Sequence, residues 1–150
     1  MVRNGDYGHC LLSEEGTFPV KALVLQVGGM RVLGIGSAGM TLLSLSSDEE
    51  IEALYARHRD EFKPKGPTLA QVRRLVTQTR KLGYASTDNL VTEGVSGVGM
   101  SFQITPGNHA AVSVAAINSR MQGDRKVQIA ELIAEELRAE GFEPRFKPAR

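Results

Sequence analysis

The stretch Gly34–Leu45, GIGSAGMTLLSL, decides how this chain is read. Gly34, Gly36 and Gly39 stand at the spacing G-x-G-x-x-G, which in a dinucleotide fold cradles a pyrophosphate at a helix N-terminus. That meaning requires a strand before the turn and a parallel strand after the helix, with an acidic residue about 20 positions on to hold a ribose. Here the corresponding region, around Glu52, lies inside a segment of helical periodicity. A nicotinamide enzyme is therefore rejected, and the glycines and small residues need another role: either an anion site at the helix entry or close packing of that helix on the sheet.

Working outward, Ser37 is expected to cap a short, uncharged and buried helix that uses Met40, Leu42 and Leu43. Ser47 and Glu50 form a capping box for a second helix, with Ile51, Leu54, Tyr55, His58 and Phe62 at helical spacing. Thr68 and Gln71 repeat the device for a third, whose stripe of Leu69, Val72, Leu75, Val76, Thr79 and Leu82 ends at Gly83. A last amphipathic helix starts near Asp124, uses Val127, Ala130, Ile133 or Ala134, and Leu137, and stops at Gly141.

Before the glycine turn, YGHCLLS (7–13) and FPVKALVLQV (18–27) are predicted to pair as a hairpin, and GGMRVLGI (28–35) to add a short third strand. Residues 84–94 read as a polar loop. SGVGMSFQI (96–104) and HAAVSVAAIN (109–118) read as a hairpin turned by Pro106 and Gly107, with apolar residues on both faces. Such a hairpin belongs to a sheet covered on both sides. Strands, three helices, a hairpin and a helix in that order give an α+β class with an antiparallel sheet.

Composition narrows the function. The 150 residues suit one domain, and the formal net charge of +1 lacks the dense basic footprint of a stand-alone nucleic-acid binder. No apolar run reaches the roughly 18 residues of a membrane span, and no secretory signal is visible, so the expected location is cytoplasmic. Cys10, the single cysteine, excludes an internal disulfide and a Cys-rich zinc site and reads as a small buried residue. His9 and Cys10 are neighbours on a strand and point to opposite faces, a poor nucleophile and base. With His58 and His109 scattered elsewhere, no enzyme, metal or cofactor constellation is expected.

Four pieces in order carry a resemblance to a known family: RNGDYGHCLLSEEGTFPVK (3–21), GGMRVLGIGSAGMTLLSLSSDEE (28–50), TRKLGYASTDNLVTEGVSGVGMSF (79–102) and AAVSVAAINSRM (110–121). Together they resemble the effector-binding domain of IclR-type bacterial transcription regulators. The resemblance implies a GAF-like antiparallel sheet flanked by helices on both sides, spanning 1–150 without the family's first strand and with a frayed basic tail at 143–150. It implies that a small organic acid binds and modulates DNA binding by the full-length protein. DNA would be engaged only through a helix-turn-helix that this sequence lacks, and the domain would self-associate as a homodimer or homotetramer, with no membrane partner.

By motif, the family's carboxylate-binding turn falls on Gly36, Ser37 and Ala38, where exposed helix N–H groups also suit an anion. The pocket-lining loop falls on Thr87 and Asp88, of which Asp88 equally suits capping or stabilising a turn. Gly97 replaces a residue that is often polar in the family, and Ser113 and Ala115 stand where two hydroxyls are usual. These departures imply a roomier, less polar pocket and lean toward a larger or aromatic acid. Arg31 keeps a surface or dimer role, followed by Val32 where the family has proline. Two alternatives stand: a degenerate dimerisation module without ligand, and, more remotely, a GAF-like redox enzyme.

Overall fold

In the computed structural model, residues 1–22 and 25–146 are described. Six strands form one antiparallel sheet: β1 (Val2–Asn4), β2 (Tyr7–His9), β3 (Met30–Val32), β4 (Ala85–Asp88), β5 (Val95–Thr105) and β6 (Asn108–Ile117). Their spatial order is β3-β2-β1-β6-β5-β4. The helices are α1 (Ser37–Leu43), α2 (Asp48–Arg57), α3 (Arg59–Phe62), α4 (Leu69–Leu82) and α5 (Arg125–Ala139).

The expected caps form where an oxygen at the N-cap can reach a free N–H. Ser47 with Glu50 and Thr68 with Gln71 are reciprocal capping boxes, and Gly83 closes α4 in the left-handed conformation at φ 81°. The β5–β6 hairpin turns at Gly107 with φ 80°, as Pro-Gly requires.

Alternation along β5 divides the molecule into two cores. Odd residues face α1: Ser101 N–H donates to Thr41 Oγ1 at 3.1 Å. On that side Val32, Leu33, Met40, Leu42, Leu43 and Ala111 pack with Ile51, Leu54, Phe62, Val72 and Val76 from α2 to α4. Even residues face α5: Val98 and Met100 pack with Met121, Ile129, Ala130, Ile133 and Leu137. The sheet thus carries helices on both faces, as the resemblance implies.

Four expectations are corrected. Tyr7–His9 pairs with Met30–Val32 and, through the Gly5–Asp6 turn, with Val2–Asn4; the described residues of 18–27 carry no strand, and Leu23 and Val24 lie outside the described residues. Part of the supposed polar loop is β4, whose four residues hydrogen-bond along β5. Ser37 does not cap α1: Gly36 is the N-cap at φ 87°, and no side chain caps the helix. Finally, α5 lies over β5 and leaves β6 open, so Val112 and Val114 are 41% and 39% exposed.

β6 has a further exposed feature. β1 meets it only at its beginning, where Met1 and Ala111 exchange both backbone hydrogen bonds at 2.9 and 2.8 Å. Among the described residues no strand lies beside Val112–Ile117 on that edge. Of the expected tail, Phe146 is buried against Tyr84 with ring centroids 5.9 Å apart, and residues 147–150 lie outside the described residues.

Candidate functional site

Pairing registers bring most of the proposed ligand residues onto one face. Thr87 pairs with Gly97, Gly97 with Ala115, and Gly99 with Ser113, so these side-chain positions form two adjacent rows across β4, β5 and β6. Directly paired residues share a face in an antiparallel sheet. That face is the one against which α1 begins.

Ser37 and Thr87 converge over Gly97. A Cβ on Gly97 would stand 2.7 Å from Ser37 Oγ and 3.1 Å from Thr87 Oγ1. One step along, a Cβ on Gly99 would stand 2.6 Å from Ser37 C and O and 2.9 Å from Ala38 N. Two glycines therefore let the first turn of α1 lie directly on β5, which is the structural use of the small residues. The room that Gly97 was expected to add is taken by the Ser37 side chain.

Ser37, Ala38 and Thr87 are buried, Gly36 is half-buried, and Ser113 and Ala115 are exposed. The site is thus a closed floor with an open side along β6. Its rim holds two residues that sequence reasoning did not assign to it. Val91 Cγ2 and Arg31 Nη1 lie 3.4 and 4.0 Å from where a Cβ on Gly36 would stand. Burial lowers the pKa of the Arg31 guanidinium from its ordinary value, and an arginine remains charged at neutral pH. The signal for Arg31 was its place three residues before the Gly34 turn, which reads as surface until β3 folds back.

Asp88 stands apart from this group. It pairs with Ser96, an even residue of β5, and so points to the α5 face. Its Oδ1 accepts from Ser96 Oγ and from Lys126 Nζ, both at 2.5 Å. Burial pushes the Asp88 pKa up, but those two hydrogen bonds and the Lys126 charge outweigh it and hold the carboxyl below its usual range. Ser96 Oγ, whose one proton goes to Asp88, also lies 2.7 Å from the Asn118 side-chain amide, and Asn118 Nδ2 donates to Asn89 Oδ1 at 2.9 Å. Asp88 therefore braces α5 and the 89–94 loop, because one residue's shift along a strand reverses the face.

Two clefts are defined by other residues. One of about 490 Å³ opens between Val2, Arg3, Leu45, Ile104 and the Gly107–His109 turn, and one of about 50 Å³ lies between α1, α4 and Arg145. Neither is lined by the residues that meet at Gly97. Among the described residues no group of His, Cys, Asp and Glu side chains is arranged to hold a metal ion, and no helix is long and apolar enough to cross a membrane. Cys10 is buried.

The model of the family described as bacterial transcriptional regulator IclR C-terminal matches residues 13–139. Among solved structures, the chain resembles the Agrobacterium tumefaciens repressor BlcR at 20% identity and a TM-score of 0.74, covering 92% of this chain and 55% of that one. It resembles the Thermotoga maritima IclR at 21% identity and 0.78, covering 90% and 56%. The IclR transcriptional regulator from Alicyclobacillus acidocaldarius gives 18% and 0.74, covering 89% and 55%. The chain spans a little over half the length of these three structures, and at such identities they share its fold. No curated protein matches the sequence.

Proposed function

Since the chain belongs to the bacterial transcriptional regulator IclR C-terminal family, we propose that it is the ligand-sensing part of such a regulator and takes a small organic acid beside the first turn of α1. The observation that carries the site is the meeting of Ser37, Thr87 and the Gly36 turn over Gly97, with the Arg31 guanidinium at the rim. A carboxylate there has two hydroxyls, backbone N–H groups of Ser37 and Ala38, and a cation within reach. The body of the acid lies toward Ala115 and Ser113, the exposed side, where an aromatic ring finds Ala115 and Val91 as apolar walls.

In the full-length regulator the acid modulates DNA binding through a helix-turn-helix outside this sequence, and the domains associate as a homodimer or homotetramer. The uncovered strip of β6 and the exposed Leu132 on α5 offer apolar surface for that association. The family is one of transcriptional regulators, so sensing rather than turnover is the activity to measure.

The test is thermal unfolding of the chain against aliphatic and aromatic acids. Ligand at about 100 times its dissociation constant adds about 2.7 kcal/mol, a rise of several degrees for this size. Thr87→Val, which keeps shape and removes the hydroxyl, weakens binding roughly 10-fold or more if it meets the carboxylate. Unchanged affinity in Thr87→Val and in Ser37→Ala removes the site. One observation favours a second reading: Ser37 already fills the space at Gly97, as in a degenerate module that only dimerises. A folded protein with no shift from any acid supports that reading.

A further inference from the structure

The Gly5–Asp6 turn between β1 and β2 meets the break between α2 and α3 in a cluster of charged groups that the effector site does not use. Asp6 accepts from Arg57 Nε and Nη2, both at 3.0 Å, and its Oδ2 lies 2.8 Å from His58 Nε2. On the other side of the ring, His58 Nδ1 lies 3.0 Å from Glu61 Oε1. Tyr7 Oη donates to that same Glu61 oxygen at 2.8 Å, and its ring stands edge-on to the imidazole with centroids 5.2 Å apart. The His58 side chain is only 16% exposed.

Donor counting decides what this arrangement requires. A neutral imidazole has one N–H, and its second nitrogen is an acceptor. Here both ring nitrogens face carboxylate oxygens, and the one donor a neutral Nδ1 could accept from, Tyr7 Oη at 3.4 Å, is already given to Glu61. Only the imidazolium donates to both. The groups facing it are Asp6 and Tyr7 from the β1–β2 hairpin, Arg57 from α2 and Glu61 from α3.

We propose that His58 is a proton-operated clasp, which when protonated pins the β1–β2 turn through Asp6 and the start of α3 through Glu61, and on losing its proton lets one of them go. The clasp reaches further than its own contacts, because the Asp6 carbonyl accepts from Leu33 N–H at 2.9 Å. Leu33 is fully buried and immediately precedes the Gly34 turn that leads into α1. Holding Asp6 therefore holds the base of that turn. The inference stands whether or not an acid binds beside α1.

Burial lowers the His58 pKa, but the hydrogen bonds and charges of Asp6 and Glu61 outweigh it and leave the value above the ordinary one. A raised folded-state value means stability that is fully present below the unfolded value of about 6.5 and lost as pH rises through the folded one. Asp6, held below the usual carboxylate range chiefly by Arg57, sets the acid limit.

Two measurements on the 150-residue protein test the clasp. The ring nitrogen resonances of His58, followed by NMR from roughly pH 5 to 9, should titrate with a midpoint above the ordinary imidazole value of about 6.5. A midpoint at or below that value overturns the proposal. Over the same range the melting temperature should fall with rising pH, and His58→Gln should abolish that fall. A folded His58→Gln protein with the native pH dependence also overturns it. If that variant does not fold, the NMR titration of the native protein decides alone.

Discussion

Ser37 and Gly97 share one space: the serine Oγ lies 2.7 Å from the point where a Cβ on Gly97 would stand. Small residues on α1 and on β5 thus answer each other. In the G-x-G-x-x-G stretch itself, Gly34 and Gly36 hold positive φ of 93° and 87° in the turn, and a Cβ on Gly39 would stand 3.3 Å from Gly34 N.

The two glycines beneath α1 should differ in cost. At Gly97 a new methyl meets a serine side chain that can rotate, whereas at Gly99 it meets the α1 backbone at 2.6 Å. Overpacking costs about 1–3 kcal/mol, so Gly97→Ala is expected near about 1 and Gly99→Ala at or above about 3 kcal/mol. Urea unfolding midpoints compare them, and equal losses would contradict the rigid contact.

Caps provide an internal control for α1. Ser47→Ala and Thr68→Ala each remove a capping-box oxygen and should cost about 1 kcal/mol. Ser37→Ala removes no cap bond, because Gly36 occupies that position. A capping-sized loss for Ser37→Ala at unchanged ligand affinity would show that its hydroxyl serves only the fold.

Asp88→Asn should loosen α5 without weakening acid binding, since its partners Ser96 and Lys126 lie on the far face. Its depressed pKa makes its contribution present above the unfolded value of about 3.9 and lost as pH falls through the folded one. Acid unfolding of the wild type should therefore begin at a higher pH than that of Asp88→Asn measured against its own plateau. Reduced acid affinity in Asp88→Asn would return it to the site.

Self-association should depend on the bare strip of β6. Its exposed residues Val112, Ser113, Val114 and Ala115 carry no charge, and an uncharged open edge invites strand addition. Val114→Lys is expected to shift the 150-residue chain toward monomer in sedimentation velocity, with its melting temperature little changed. An unaltered distribution would place association elsewhere.

Local chemistry made α2, α4 and the long hairpin readable, because Ser47, Thr68, Gly83 and Gly107 act within a few residues of their positions. The short strands were not readable in that way. Ala85–Asp88 is a strand because β5 offers it partners, and Val2–Asn4 because the Gly5–Asp6 turn folds it against β2. The apolar run 18–27 shows the converse: β-rich composition, yet Met30–Val32 takes the place beside β2. In the site, motif matching placed Ser37, Thr87 and Gly97 together but could not tell the face of Asp88 from that of Thr87. Arg31 and His58 depend on chain segments that meet only in three dimensions.

The contact of α1 with β5 has a mechanical meaning. At Gly99 the helix backbone rests on strand backbone with no side chain between them to be squeezed or turned aside. The seven-residue helix therefore sits on the strand as one piece, and the link 44–47 that follows it is tied to α4, where the Arg80 guanidinium donates to the Ser44 and Ser46 carbonyls. The joint has no cushion: a seam of backbone on backbone holds its spacing where a seam of side chains could give.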